Sequence, residues 1–149
     1  MGAATLVVAL AAGWVLYDRV YAGGGDRPVA WLDLTPALGE RRFARAATRV
    51  IESRAELREV VPGTREPPVD FARRRAVLVT VGPRSSPAYR LSVVSVREER
   101  RQIVVVVREQ TPELGGPAPP RVISPALLLT LPPSAKRVAV VLEGRENGA

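Results

Sequence analysis

From residue 29 onward, apolar positions fall in short runs cut by proline, glycine or clusters of charge. Runs of this length bounded by turn residues point to strands. "VAWLDL" (29–34) gives a first strand, with Trp31 as a core residue, and residues 48–51 a second. "AVLVTVG" places Val77, Val79 and Val81 on one face. In "YRLSVVSVR", Tyr89, Leu91 and Val93 share one parity while Val94 and Val96 share the other. That change of phase predicts a β-bulge near Val93–Val94 or burial on both faces. "IVVVV" (103–107) has no polar alternation and reads as a central strand. Pro125 confines "VISPALLLTL" to an edge or a bend at that point, and "KRVAVVLE" closes the domain. One helix is expected. Ser53 followed by Glu56, then Leu57 and Val60, has the form of a capping box, and Pro62-Gly63 stops it. The expected fold is mainly β: an antiparallel sandwich or barrel-like domain over residues 29–143 with one short helix, preceded by an N-terminal hydrophobic helix.

That preceding segment differs in texture. Residues 2–17, "GAATLVVALAAGWVLY", are uninterrupted apolar sequence ended by Asp18 and Arg19. The run suits the apolar region of an export signal, and Val20-Tyr21-Ala22 offers small residues where a signal peptidase cuts. No Lys or Arg precedes it, which counts against cleavage and leaves either a start placed late or an uncleaved anchor with Trp14 and Tyr17 at the interface. A buried helix of the domain is the third reading, opposed by the lack of any polar face. Residues 1–22 are therefore read as a signal peptide or a single membrane anchor, 23–28 as a flexible linker and 144–149 as a disordered tail. The localisation that follows is the cell envelope, periplasmic, extracellular or tethered.

Composition narrows the chemistry. The 149-residue chain holds no Cys and no His, which removes disulfides, thiolate nucleophiles, Cys/His zinc sites and Ser-His-Asp triads. Its formal charge is +7, from 22 basic and 15 acidic residues, so an anionic partner is admissible. The arginines are spread along the chain, and nucleic acid is an unfavoured partner. The sharpest basic cluster is Arg73, Arg74 and Arg75. It reads as a solvated turn or, as the alternative function, as a contact for anionic lipid or nucleic acid. Glu98 and Glu99 sit among Arg97, Arg100 and Arg101, a setting that keeps carboxyl pKa values low instead of raising one for acid catalysis. A Lys136/serine dyad is weak, because Ser85 and Ser86 lie on another loop and Ser134 is too close in sequence. Asp70 reads as the cap of a turn. No catalytic residue, metal site or cofactor is expected, and the chain is read as a non-enzyme.

Two connectors remain. In a simple meander, residues 82–88 ("GPRSSPA") and residues 109–121 ("EQTPELGGPAPPR") return to the same end of the sheet. Both are long for hairpins, and their prolines lower the entropy lost on docking. The candidate partner-binding residues are Gly82, Pro83, Arg84, Ser85, Ser86, Pro87, Tyr89, Pro117, Pro119, Pro120 and Arg121, with Tyr89 as anchor and Arg84, Arg90 and Arg121 as rim. The competing reading is of inert connections in a proline-rich chain.

The run "VDFARRRAVLVTVGPRSSPAYRLSVVSV" resembles the PrcB C-terminal-like family, named for protease-complex accessory subunits. The resemblance is carried by Val69, Asp70 and Phe71, by Gly82 at a strand end, by Tyr89, and by Ser124-Pro125, over roughly residues 50–143. It implies an exported, non-enzymatic β-rich domain that binds or stabilises a protein, with an envelope protease as the candidate, in the manner of an accessory subunit or an inhibitor-like binder. The family pattern has Gly-Gly before the tyrosine; here Pro87-Ala88 stands in its place. Pro fixes φ near −65°, so the loop takes another path.

Overall fold

The computed structural model describes residues 26–63, 65–112 and 121–143. The N-terminal helix, signal or anchor expected at 1–22 and the tail expected at 144–149 lie outside them, as do Pro117, Pro119 and Pro120. No helix among the described residues is long and apolar enough to cross a membrane.

The elements run β1 (Arg27–Pro28), β2 (Leu32–Asp33), a 3-10 turn (Thr35–Leu38), β3 (Ala46–Ile51), α1 (Arg54–Val60), β4 (Arg75–Val81), β5 (Arg90–Glu98), β6 (Gln102–Gln110), β7 (Ala126–Leu131) and β8 (Arg137–Glu143). They form two separate four-stranded sheets, ordered β1-β5-β6-β8 and β2-β7-β4-β3. The fold is a sandwich, and the barrel alternative falls away.

Between the sheets lies a core of branched aliphatics: Val77 and Val79 from β4, Leu127, Leu129 and Leu131 from β7, Val96 from β5, Ile103, Val105 and Val107 from β6, and Val138 from β8. The opposite faces of β4 and β7 are apolar as well. Ala76, Leu78 and Leu128 join Ile51 under a third layer built by Leu57 of α1, Leu38 of the 3-10 turn, Val61 and Val69. This explains why β4 reads "AVLVTV" with little alternation: all seven of its residues are buried. On β6, Val104 and Val106 are buried along with the inward residues between them.

The capping box at α1 forms with one variation. Ser53 Oγ accepts from Glu56 N at 3.2 Å, but Glu56 Oε2 accepts from the N–H of Glu52, at 2.8 Å, one residue before the cap. Arg41 ties the third layer together, donating to the carbonyls of Ala37, Leu38, Pro62 and Arg65. The bulge falls between Val93 and Ser95, leaving Val94 outside the ladder.

Several expectations need correction. The pairing is not antiparallel throughout, because β6 and β8 run parallel. The chain leaves β6, descends through β7 in the other sheet and rises again, so β8 lands beside β6 in the same direction. For the same reason the strands do not make a simple meander: β4 to β5 and β6 to β7 are crossings between sheets. The first strand expected at 29–34 shrinks to Leu32–Asp33, and a separate two-residue strand, Arg27–Pro28, precedes it. Arg27–Pro28 pairs with Arg97 and Glu98 in one sheet, and Leu32–Asp33 pairs with Leu129 and Thr130 in the other. Pairing therefore begins inside the stretch read as linker. Val29 packs against the inter-sheet core, whereas Trp31 sits at the seam 36% exposed and is not a core residue. Pro125 marks a bend just before β7, which is a central strand between β2 and β4.

Candidate partner-binding end of the sandwich

β4 ends at Gly82, whose φ of +77° lies in the left-handed region. A Cβ there would have room, with its nearest neighbour Ala46 N at 3.5 Å, so the requirement is for the backbone conformation itself. Gly82→Ala should cost about 1 kcal/mol of unfolding free energy, measurable by denaturant titration.

Beyond Gly82 the chain meets the segment that leads into β7. Arg84 N donates to Ile123 O at 2.8 Å and Ile123 N donates to Arg84 O at 2.9 Å, an isolated antiparallel bridge. The Arg84 side chain makes a second link. Its Nε lies 2.6 Å and its Nη2 3.2 Å from the two carboxylate oxygens of Glu109, at the end of β6. Its Nη1 donates to the carbonyls of Val81 and Pro83, at 2.9 and 3.2 Å. The guanidinium also stands 5.9 Å from the centre of the Tyr89 ring. The hydrogen bond to Glu109 is the largest influence and raises the arginine's pKa; desolvation opposes it, and the charges of Glu109 and Tyr89 add to the rise. Arg84, partly exposed, thus also clamps this end from within.

The tyrosine is set by a turn. Ser86 is buried, its Oγ accepts from Ala88 N at 3.2 Å, and its carbonyl accepts from Tyr89 N at 3.4 Å. Among the described residues only Gly39, Gly63 and Gly82 have positive φ, so Pro87-Ala88 makes this turn without a left-handed residue. Tyr89 is half-buried; Pro83, Ser85, Ala88 and Arg90 are exposed, and Pro87 is partly so. Arg121 is exposed and pairs with Glu40, from the connection leading into β3. Beside it Val122 is 60% exposed. Neither Val122 nor Glu40 was singled out from the sequence. Pro125 held the signal for Val122, since a strand that can begin only after the proline leaves 121–124 as loop.

The arginine cluster disperses. Arg73 is exposed and stands 3.9 Å from Asp70. Arg74 donates to Thr130 Oγ1 at 3.1 Å over the outer face of β7. Arg75 is buried at the start of β4, where Nη1 donates to Lys136 O at 3.0 Å and burial lowers its pKa, partly countered by Glu52. Arg73 and Arg74 lie in the turn before β4 and Arg75 is its first residue, and the three guanidiniums take different partners, Asp70, Thr130 and Lys136 O, so they form no continuous basic patch. Asp70 caps its turn, its Oδ1 accepting from Ala72 N at 3.2 Å.

The carboxylates considered for catalysis lie at the opposite end, where Glu98 helps line a shallow cleft of about 260 Å³ with Val29, Ile103 and Pro133. Glu98 Oε1 is 2.7 Å from Lys136 Nζ, and that hydrogen bond, followed by the lysine's charge, holds its carboxyl below the usual range. Lys136 Nζ also donates to Glu99 O at 2.7 Å, which places its ammonium against two acceptors. Ser134 Oγ accepts from the backbone N–H of Lys136. Glu99 accepts from Gln102 Nε2 at 2.8 Å. Among the described residues no group of three or more acidic side chains is placed to hold a metal ion.

Residues 75–132 match the PrcB C-terminal family. The PrcB C-terminal match runs from the first residue of β4 to one residue past β7, and so takes in Gly82, Arg84, Tyr89, Ser124 and Pro125. It is narrower than the resemblance suggested, leaving out 69–71, α1 and β8. Neither the curated proteins nor the solved structures contain a match to the chain.

Proposed function

We propose that this protein is a non-catalytic binding domain that docks on another protein through the end of the sandwich bearing residues 82–90 and 121–123. The observation that carries this reading is the Arg84 clamp. One side chain, with one backbone bridge, ties residues 83–84 to Ile123 ahead of β7, to Glu109 at the end of β6 and to Tyr89 before any partner arrives. A surface ordered in advance loses less conformational entropy on binding than a free loop. Exposed Pro83 and Val122 with half-buried Tyr89 supply apolar contact, and Arg90 and Arg121 border it. The PrcB name points toward a protease-associated subunit, and the apolar run at 2–17 favours a place in the cell envelope, exported or tethered. An accessory or stabilising subunit of an envelope protease is the role that joins these strands. The dispersal of Arg73, Arg74 and Arg75 weighs against the anionic-surface alternative.

The test is capture of a partner from envelope extract by the full chain, by Tyr89→Ala and by Val122→Asp, each repeated across a salt series. We expect one protease-containing band to be reduced about tenfold or more by either substitution and to change little with salt. Equal retention by all three forms would remove this end from the mechanism. A steep fall with log[salt] would move the function to phosphate contacts.

A further inference from the structure

A sandwich has four lateral edges, and in this one three are blunted. β1 has two residues, one of them Pro28, and the part of β5 beyond it carries the bulge. β2 is equally short, and past it β7 is capped by Leu34 N donating to Leu128 O and by Thr35 Oγ1 accepting from Leu128 N. β3 carries exposed Arg49 at its centre. Short strands, proline, bulges and mid-strand charge are the devices that keep sheet edges from pairing with other chains. β8 has none of them. It is seven residues long, regular in its pairing to β6, and apolar from Val138 to Leu142, with charges only at its two ends. Among the described residues no strand lies on its outer side.

The sequence of this edge is complementary to itself. If two copies of Arg137–Glu143 run antiparallel about a two-fold axis through Val140, Arg137 falls opposite the partner's Glu143, Val138 opposite the partner's Leu142, and Ala139 opposite the partner's Val141. Residues opposite one another in an antiparallel pair share a face. Arg137, Ala139, Val141 and Glu143 share the face turned from the inter-sheet core, where Glu143 already binds Arg108 at 2.7 Å. Val138 and Val140 face the core, and Leu142 of the same parity is 41% exposed at the edge. Both charges thus meet an opposite charge on one face, and the exposed leucine meets a valine on the other. A parallel or shifted pairing loses this match. We propose that the chain forms a two-fold symmetric dimer by antiparallel β8–β8 pairing, joining two four-stranded sheets into one of eight strands. Two symmetric copies of a single surface are what such a dimer requires.

The test is sedimentation of the full chain over a range of concentrations, alone and with charge reversals. Wild type should dimerise. Arg137→Glu and Glu143→Arg should each weaken the dimer about tenfold or more, because each places two like-charge pairs in the interface. An equimolar mixture of the two variants should recover the association, since in the mixed dimer both ends are complementary again. A wild-type chain that stays monomeric would overturn the proposal. So would a dimer indifferent to both reversals, which would assign association to another surface. A mixture no tighter than the single variants would overturn the antiparallel register. The loop-end binding proposed above does not depend on the result.

Discussion

Leu129→Ala should lower the unfolding free energy by about 2–5 kcal/mol, the range for emptying a fully buried leucine site. Leu129 is fully buried, stands between Val77 on β4 and Asp33 on β2, and belongs to the core between the two sheets. Its neighbour Leu128 points the other way, into the layer made by Leu57, Leu38 and Val61, and is equally buried. Leu128→Ala should therefore cost a similar amount, whereas a strand with one solvated face would show a large effect at only one of the two positions. Leu142→Ala, at the exposed edge, should stay within about 0.5 kcal/mol of wild type in the monomer. Chemical denaturation of the three variants checks the set. A small effect at Leu128 would mean that the helix and the 3-10 turn do not cover the sheet.

Arg84→Ala should loosen the binding end without unfolding the domain. It removes the two-pronged contact with Glu109, leaves that carboxylate without its cation, and takes the guanidinium from the face of Tyr89. The side chain is partly exposed, so solvent screening reduces the loss to about 1–2 kcal/mol. The expected local signature is a rise of about tenfold or more in hydrogen exchange at the amides of Arg84 and Ile123, which bridge the first connector to the segment leading into β7. Arg84→Lys should rescue little, because an ammonium cannot engage both carboxylate oxygens in the same way. Arg121→Ala, which loses only the exposed pair with Glu40, should leave these amides unchanged.

The strands whose side chains announce their surroundings were legible. "IVVVV" gave a central strand because both its faces are buried, the change of parity at Val93–Val94 gave the bulge, and Ser53 with Glu56 gave the helix start. Each of these signals is local. Which sheet a strand enters is not written in its alternation, since inward and outward parity look the same in either layer. The entry of 27–28 and 32–33 into different sheets, the exposure of Trp31 and the parallel arrival of β8 therefore have no local signal. The candidate site shows the same divide. Gly82 and the two prolines around Ser85-Ser86 marked a loop, but an arginine's reach of several bonds decides whether it faces water or a carboxylate 25 residues away. Arg84 and Arg75 turned inward, and nothing in their neighbours distinguished them from Arg73 or Arg90.

The stitch made by residues 27–33 belongs to both sheets at once. A proteolytic nick or a truncation that removed it would uncover, in a single event, the flank of β5 and the flank of β7, whose sequence Ala-Leu-Leu-Leu-Thr-Leu is apolar but for one threonine. Shortened versions of this protein beginning after Asp33 should consequently precipitate before they unfold, and any tension transmitted through the chain ahead of Arg27 would be felt first by the seam that keeps the two halves from sticking to their neighbours.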